Sequence, residues 1–167
     1  MKFHFKYTTL VLFVTGLLFA CDRAPNYSEV PSISFNKIEK FSVYSPISSN
    51  YIDSLAISIN FQDGDGDLGN IDQNATPNFI TEIYLKNADN NFDTIKYNFL
   101  NGKFPPLNTT GKKGPIDGVL NQGTNMSLVY SGQSFQSGFY KFKIRIRDEA
   151  GNFSNWTETT PIELTPQ

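Results

Sequence analysis

The stretch Leu55-Ala56-Ile57-Ser58-Ile59-Asn60-Phe61 alternates large apolar side chains with small or polar ones. A period of two places the apolar set on one face of a β-strand. The same alternation recurs at 81–85 and 140–146, and weaker strands are predicted at 32–44, 92–99, 125–131 and 156–164. Nothing longer than a turn or two has a helical period. The sequence therefore predicts an all-β fold, an antiparallel β-sandwich of about seven strands.

Two irregularities interrupt this pattern. Ile33 and Phe35 are out of phase with Ile38, which predicts a β-bulge near residues 36–37. The stretch 101–124 is rich in Gly, Pro and Asn, so we expect the longest loop there, with room for a short strand at 116–120.

The N-terminal segment predicts where the protein resides. Residues 1–20 combine a basic start at Lys2 and Lys6 with an apolar run that is too short to cross a bilayer, which needs about 20 apolar residues. Cys21, the only cysteine, follows directly. This arrangement resembles the lipobox of bacterial lipoproteins, and the resemblance implies removal of residues 1–20 and lipidation of Cys21. The alternative is an unpaired thiol after an ordinary signal peptide, which is a liability in an oxidising compartment.

The resemblance divides the chain into three parts. Residues 1–20 are the signal peptide, 21–30 are the lipidated cysteine with a flexible tether, and 31–167 are a single β-sandwich domain. The expected location is the cell envelope, with the lipid anchor in a membrane, and we expect this to be the outer membrane.

Composition narrows the chemistry of the mature chain. Without Lys2 and Lys6, 12 of the 14 basic residues remain against 16 acidic ones, a net charge of −4 that gives no basis for binding nucleic acid. His4, the only histidine, also leaves with the signal. Ser-His-Asp and Cys-His catalysis and zinc sites with nitrogen or sulfur ligands are therefore excluded. The protein is predicted not to be an enzyme. The alternative, a carboxylate-based enzyme acting on glycans, would need two carboxyls about 5–9.5 Å apart in a groove.

Three aspartates alternate with glycines in Asp63-Gly64-Asp65-Gly66-Asp67-Leu68-Gly69, directly after the clearest strand. Glycine permits the positive φ angles that aim several oxygens at one point, and hard oxygen ligands suit Ca²⁺. The sequence predicts that Asp63, Asp65 and Asp67 bind Ca²⁺, with Asp72 as a further candidate ligand. The alternative is a solvated turn whose aspartates bind no ion.

The loop begins like an EF-hand but departs from it. Leu68 stands at the sixth position, where glycine is required, and Asn74 stands at the twelfth, where a bidentate glutamate is expected. An EF-hand is therefore rejected.

The segment 139–156 resembles the last hairpin of bacterial immunoglobulin-like and fibronectin-III-like domains. The resemblance implies that 54–62 is strand B and that 139–147 is strand F. The B–C and F–G loops of such a sandwich lie at one end, so the aspartate loop would meet residues 148–152. Asp148 is then a further candidate metal ligand, and hydrogen bonding within its own turn is the alternative role.

A row of four cations, Lys141, Lys143, Arg145 and Arg147, shares one face of a predicted strand. Like charges at this spacing repel unless other groups compensate them. One interpretation pairs them with acidic neighbours such as Glu82 or Glu158 and lays their stems over apolar atoms. The other is a binding face for an acidic glycan or for another envelope protein.

The lipobox, the aspartate loop after a strand and the terminal hairpin together resemble small surface lipoproteins of the Bacteroidota. That resemblance implies a location and a fold rather than a reaction. The predicted function is a lipid-anchored, non-enzymatic binding or accessory module of the cell envelope, stabilised by calcium. A purely structural envelope protein is the alternative.

Overall fold

The computed structural model describes residues 25–46, 49–70, 72, 76–95, 100–125 and 136–164. The predicted signal peptide and Cys21 lie outside these residues, as do positions 126–131 of one predicted strand and 96–99 of another. No helix in the described part of the chain has the length and apolar character needed to cross a membrane.

Eight strands form two antiparallel sheets. They are β1 (Ser32–Ser45), β2 (Asn50–Asp63), β3 (Phe79–Lys86), β4 (Phe92–Ile95), β5 (Ile116–Asn125), β6 (Gly138–Ile146), β7 (Thr157–Glu158) and β8 (Ile162–Leu164). One sheet has the order β1-β2-β5, and the other has the order β4-β3-β6-β7, with β8 also paired to β6. The predicted all-β antiparallel sandwich is confirmed.

The strand order is that of an immunoglobulin-like sandwich. Strands β1, β2 and β5 take the places of A, B and E, while β3 and β6 take those of C and F. The last strand, G, is split into β7 and β8, which pair with different parts of β6. Pro161, which has no N–H to donate to a ladder, lies between them. The described strands differ from the predicted seven in two ways, because this split adds a strand and because β5 forms where the sequence predicts a loop with room for a short strand. Most of the predicted strand 125–131 lies outside the described residues.

The core lies between the sheets and consists mainly of the alternating residues identified in the sequence. Those buried as predicted are Leu55, Ile57, Ile59, Phe61, Phe142, Ile144 and Ile146. Strand β3 adds Phe79 and Ile83, and β6 adds Tyr140, whose hydroxyl donates a hydrogen bond to the Gln136 carbonyl at 2.5 Å. Three loop residues, Leu68, Leu100 and Phe104, cover the end of the sandwich from which β2 leaves.

The first strand is also tied to the opposite sheet. The Ile33 N–H donates to Oδ1 of Asn155 at 2.9 Å, and Nδ2 of Asn155 donates to the Ile33 carbonyl at 2.9 Å. The Phe35 N–H donates to Oγ1 of Thr157 at 3.0 Å. The predicted bulge is confirmed directly after these bonds, because the register with β2 shifts between Phe35 and Lys37. On the outer edge of β1 before its bulge, the N–H and carbonyl of Ile33 and the N–H of Phe35 therefore have side-chain hydrogen-bond partners.

Candidate functional site

The aspartate loop is shaped by its first residue. Asp63 ends β2 and is fully buried, at 0% exposure. Its Oδ2 accepts hydrogen bonds from the backbone N–H of Gly66 at 2.9 Å and of Asp67 at 3.1 Å. The side chain thus folds the next four residues around itself, as aspartate does in turns. Leu68 then enters the core with 0% exposure and fixes the far side of the loop.

The loop is packed tightly against the segment 104–114. The backbone bonds join Leu107 N–H to the Leu68 carbonyl at 2.9 Å and Gly114 N–H to the Asp65 carbonyl at 3.0 Å. Gly69 has a φ of +100°, and a Cβ atom there would lie 2.1 Å from the Pro105 carbonyl oxygen. Only glycine fits such a backbone approach in this conformation.

The three aspartates form one group of carboxylates. One oxygen from each of Asp63, Asp65 and Asp67 lies within 4.8 Å of the others. In each residue Oδ1 is buried and accepts no hydrogen bond from any described residue. Buried polar atoms normally have a partner, and an unpaired buried carboxylate is costly. Clustered carboxylate oxygens are the donor set of a hard cation, so this group could bind a metal ion.

The electrostatics of the group match this geometry. Burial raises the pKa of Asp63 to about 6, the charge of Asp65 adds to the rise, and the N–H bonds from the loop lower it. Burial also raises the pKa of Asp67, whereas the hydrogen bond from Ala150 lowers it. In both residues the surroundings therefore disfavour the ionised form, and a bound cation would neutralise that charge.

The two loops predicted to meet do so. Oδ2 of Asp67 accepts a hydrogen bond from the Ala150 N–H at 3.0 Å, and the backbone carbonyl of Asp67 accepts one from the Glu149 N–H at 3.2 Å. Leu68 and Asp148 form an isolated antiparallel bridge. The assignments of β2 as strand B and β6 as strand F, which placed these loops at one end, are confirmed.

The two further candidate ligands lie outside the carboxylate group. Both oxygens of Asp148 are bonded within its own turn, Oδ1 to the Asn152 N–H at 2.6 Å and Oδ2 to the Asn152 Nδ2 at 2.9 Å. Asp72 is exposed, and its N–H donates to Oδ1 of Asn70 at 2.7 Å. The turn-bonding role of Asp148 is thus confirmed. That residue supports the loop which holds Asp67.

The four cations, three on β6 and Arg147 directly after it, divide into two pairs. Lys141 forms an ion pair with Glu158, and Lys143 lies opposite Glu82 on β3 and Glu158 on β7. For these lysines the predicted cross-strand compensation is confirmed. Arg145 and Arg147 have no ion pair among the described residues, and the β3 neighbour of Arg145 is Ile80.

Aromatic rings compensate the arginines instead. The Arg145 guanidinium lies 4.0 Å from the ring centroid of Phe153 and 4.6 Å from that of Trp156. Arg147 lies 5.8 Å from Phe153, and Lys143 lies 5.3 Å from Trp156. Sequence reasoning missed this stacking. The available signal was the position of both aromatics directly beyond the turn at Gly151, where a returning strand places them beside β6.

A scan against protein-family models and a search of curated proteins both gave no match for this chain.

Proposed function

We propose that this protein is a calcium-stabilised, lipid-anchored, non-enzymatic binding or accessory module of the cell envelope. One observation carries the calcium part of the proposal. Asp63, Asp65 and Asp67 each have a buried, unpaired Oδ1, and one carboxylate oxygen of each residue lies within 4.8 Å of the others. Nothing in a solvated turn requires that arrangement, because exposed carboxylates are satisfied by water.

Calcium suits this group better than magnesium. Ca²⁺ takes six to eight oxygen ligands in a flexible shell, whereas Mg²⁺ demands a near-ideal octahedron and keeps several waters. The unpaired oxygens here are buried, which favours an ion bound mainly through protein oxygens. Asp63, Asp65 and Asp67 would supply carboxylate ligands.

The ion's role would be structural. The aspartate loop is bonded to the segment 104–114 and to the turn at 148–152. An ion that binds only the folded loop stabilises all three segments through linkage. Its ligand oxygens would then be unavailable as an acid or base, and the chain after Cys21 contains no histidine or further cysteine. These points support a non-enzymatic role.

The lipid anchor would place the calcium loop near a membrane. The backbone of Tyr27 and Ser28 packs against Gly64, where an added Cβ would lie 2.5 Å from the Tyr27 carbonyl oxygen. Cys21 lies six positions before Tyr27, and a fully extended chain over six positions spans at most about 20 Å. A lipidated Cys21 would therefore hold this end of the sandwich within that distance of the membrane.

Calorimetry and thermal melting of the full chain test the calcium proposal. We expect millimolar Ca²⁺ to raise the melting temperature of the wild type, because extracellular modules bind with Kd of about 10⁻⁴ to 10⁻³ M. Asp65→Asn should lose the response, and in EDTA it should be at least as stable as the wild type because one repelling charge is removed. Asp89→Asn, at an exposed aspartate in the β3–β4 turn, is the matched control and should respond normally.

An absent calcium response in the wild type, or an equal response in Asp65→Asn, would overturn the calcium assignment. The envelope role is tested separately, by crosslinking on intact cells and identifying co-purified molecules. Recovery of the protein without any envelope component would contradict that role.

A further inference from the structure

The outer face of the second sheet carries chemistry that the calcium loop does not use. Side chains of β6 and of the turn after it alternate as cation and ring in the order Arg147, Phe153, Arg145, Trp156, Lys143. A second such contact follows, with Lys141 5.7 Å from the Phe92 ring. We call this set the cation–aromatic row.

The arginine end of the row contains no ion pair among the described residues. Glu158 and Glu82 neighbour the two lysines. Asp148 and Glu149 line a cavity together with Arg147, but the contacts that the described residues make with the arginines are aromatic rings and the Thr76 hydroxyl, to which Arg147 Nη1 donates at 2.9 Å. Stacking fixes the planes of the guanidinium groups and limits the rotamer entropy lost when they bind an anion. The guanidinium groups of Arg145 and Arg147 are therefore the cations of the row that are available to an anionic ligand.

A cavity of about 170 Å³ lies at the other end of the row. Its lining side chains include Tyr84, Phe92, Lys141, Lys143 and Glu158. Aromatic walls combined with charged hydrogen-bonding groups suit a sugar ring, which has apolar C–H faces and hydroxyl edges. The volume is below that of pockets for drug-sized ligands, about 300–1,000 Å³, and corresponds to one ring of a longer chain.

We propose that the cation–aromatic row binds an anionic polysaccharide. One sugar ring occupies the cavity, and acidic groups further along the chain contact Arg145 and Arg147. Alternate residues of a strand lie about 6.7 Å apart, so the cations from Lys141 to Arg147 span about 20 Å. That length fits an extended polymer rather than a single small anion. The inference rests on the proposed role as a binding module and names its ligand class.

The direction of β6 argues against a membrane as the ligand of this face. The row runs along β6 from Lys141 towards Arg147, which adjoins the end where the N-terminal segment packs on Gly64. A membrane held at that end by Cys21 would reach only the end of the row. The sugar-sized cavity argues against an acidic protein, whose carboxylates need no aromatic wall.

Binding of polygalacturonate to the full chain, compared with its methyl-esterified form, tests the proposal. The two polymers share a backbone and differ in charge. We expect binding of the acidic form, weakening with salt, and a loss of about tenfold or more in Arg145→Gln/Arg147→Gln, since charge-assisted hydrogen bonds to carboxylates are lost. Lys112→Gln/Lys113→Gln removes the same charge from exposed residues of another loop and should bind normally.

Further probes separate the other ligand classes. Phe92→Ala should weaken polygalacturonate binding while leaving the melting temperature near that of the wild type, because the ring is only half-buried. Equal binding of polyglutamate, binding of phosphatidylglycerol vesicles without polygalacturonate binding, or equal losses in the arginine and lysine double variants would each overturn the proposal. Lys143→Gln replaces the arginine variant if the latter fails to fold, with the same expectation.

The outcomes also separate this inference from the proposed function. If polygalacturonate does not bind but calcium still raises the melting temperature, the polysaccharide inference fails and the calcium-stabilised module stands. If polygalacturonate binds without any calcium response, the calcium assignment fails instead.

Discussion

The carboxylate of Asp67 and the backbone N–H of Ala150, 83 positions apart in sequence, are joined by a 3.0 Å hydrogen bond to Oδ2. The other oxygen of Asp67, Oδ1, is unpaired among the described residues. The two oxygens of Asp63 differ in the same way, because its Oδ2 accepts hydrogen bonds from two loop N–H groups while its Oδ1 is unpaired. In both residues one oxygen holds the loop, and the other has no partner among the described residues. Substitutions that separate these two roles are therefore informative.

Asp67→Asn and Asp67→Ala should differ only when calcium is removed. Asparagine keeps an oxygen that can accept the Ala150 N–H, whereas alanine removes it. In EDTA we expect Asp67→Ala to be less stable than Asp67→Asn by about 1 kcal/mol, the usual net worth of one hydrogen bond. Both should lose the calcium response. Chemical denaturation with and without calcium measures this, and equal stabilities in EDTA would contradict the role of Oδ2.

The stability of the calcium-free protein should fall as pH rises through about 6. The pKa of Asp63 is raised from 3.8 to about 6, so between these values the folded state holds more protons than the unfolded chain. A rise of about two pKa units corresponds to a loss of about 3 kcal/mol once the group is ionised. Calcium binds the ionised form, so its stabilising effect should instead grow over the same range.

Asp63→Asn isolates this contribution. In EDTA its melting temperature should exceed that of the wild type by a margin that widens from pH 4.5 to pH 7, because asparagine carries no charge in the buried group. Melting curves across this range measure the margin. A margin that is constant with pH would show that Asp63 does not titrate as assigned.

Ile144→Ala should cost about 2–5 kcal/mol of unfolding free energy, the range for large-to-small changes in a packed core. Ile144 is fully buried on β6, opposite Thr81 of β3. Val119→Ala, at a β5 residue that is 50% exposed, is the control and should cost well under half as much. Urea unfolding of the two variants measures the difference, and similar losses would be inconsistent with the described core.

Cys21→Ser should release the protein from the membrane fraction or leave an unprocessed precursor, because serine has no thiol to carry lipid. Glu29→Gln, in the tether, should fractionate like the wild type. Mass spectrometry of the mature wild-type protein decides the matter directly. An unmodified Cys21 on the mature chain would refute lipidation.

The sequence predicted those parts of the fold whose residues carry a strong period. The alternation around Ile59 and Ile144 located the central strands, and the change of phase after Phe35 located the bulge. The meeting of the two loops followed from the strand assignment. The strands and the bulge depend on local patterning, whereas the meeting of the loops was implied by the resemblance of the segment 139–156 to an immunoglobulin-like hairpin.

The remaining features depend on tertiary contacts. Strand β5 is longer than the stretch 116–120 that the sequence suggested. Pairing with β2 holds residues of low strand propensity, such as Asn121 and Gly123, in the sheet. Leu68 counted only against an EF-hand, yet it fills the core beneath the loop. The stacking of Arg145 on Phe153 and Trp156 requires the segment after Gly151 to return beside β6, which the position of these aromatics beyond the turn signals but no strand period encodes.

The contacts that Asn155 and Thr157 make with β1 have a mechanical consequence. A pull on the N-terminal segment first reaches Tyr27 and Ser28, which pack against Gly64, and then β1. The first residues of β1 are bonded to β2 on one edge and to these two side chains on the other. The pulling force is therefore distributed over both sheets and acts as shear along the strand. The hydrogen bonds of β1 to β2 and to Asn155 and Thr157 must break together before β1 detaches. A domain suspended from a membrane by its first strand would resist traction in this way, so its yield force rather than its melting temperature would set how long it stays intact.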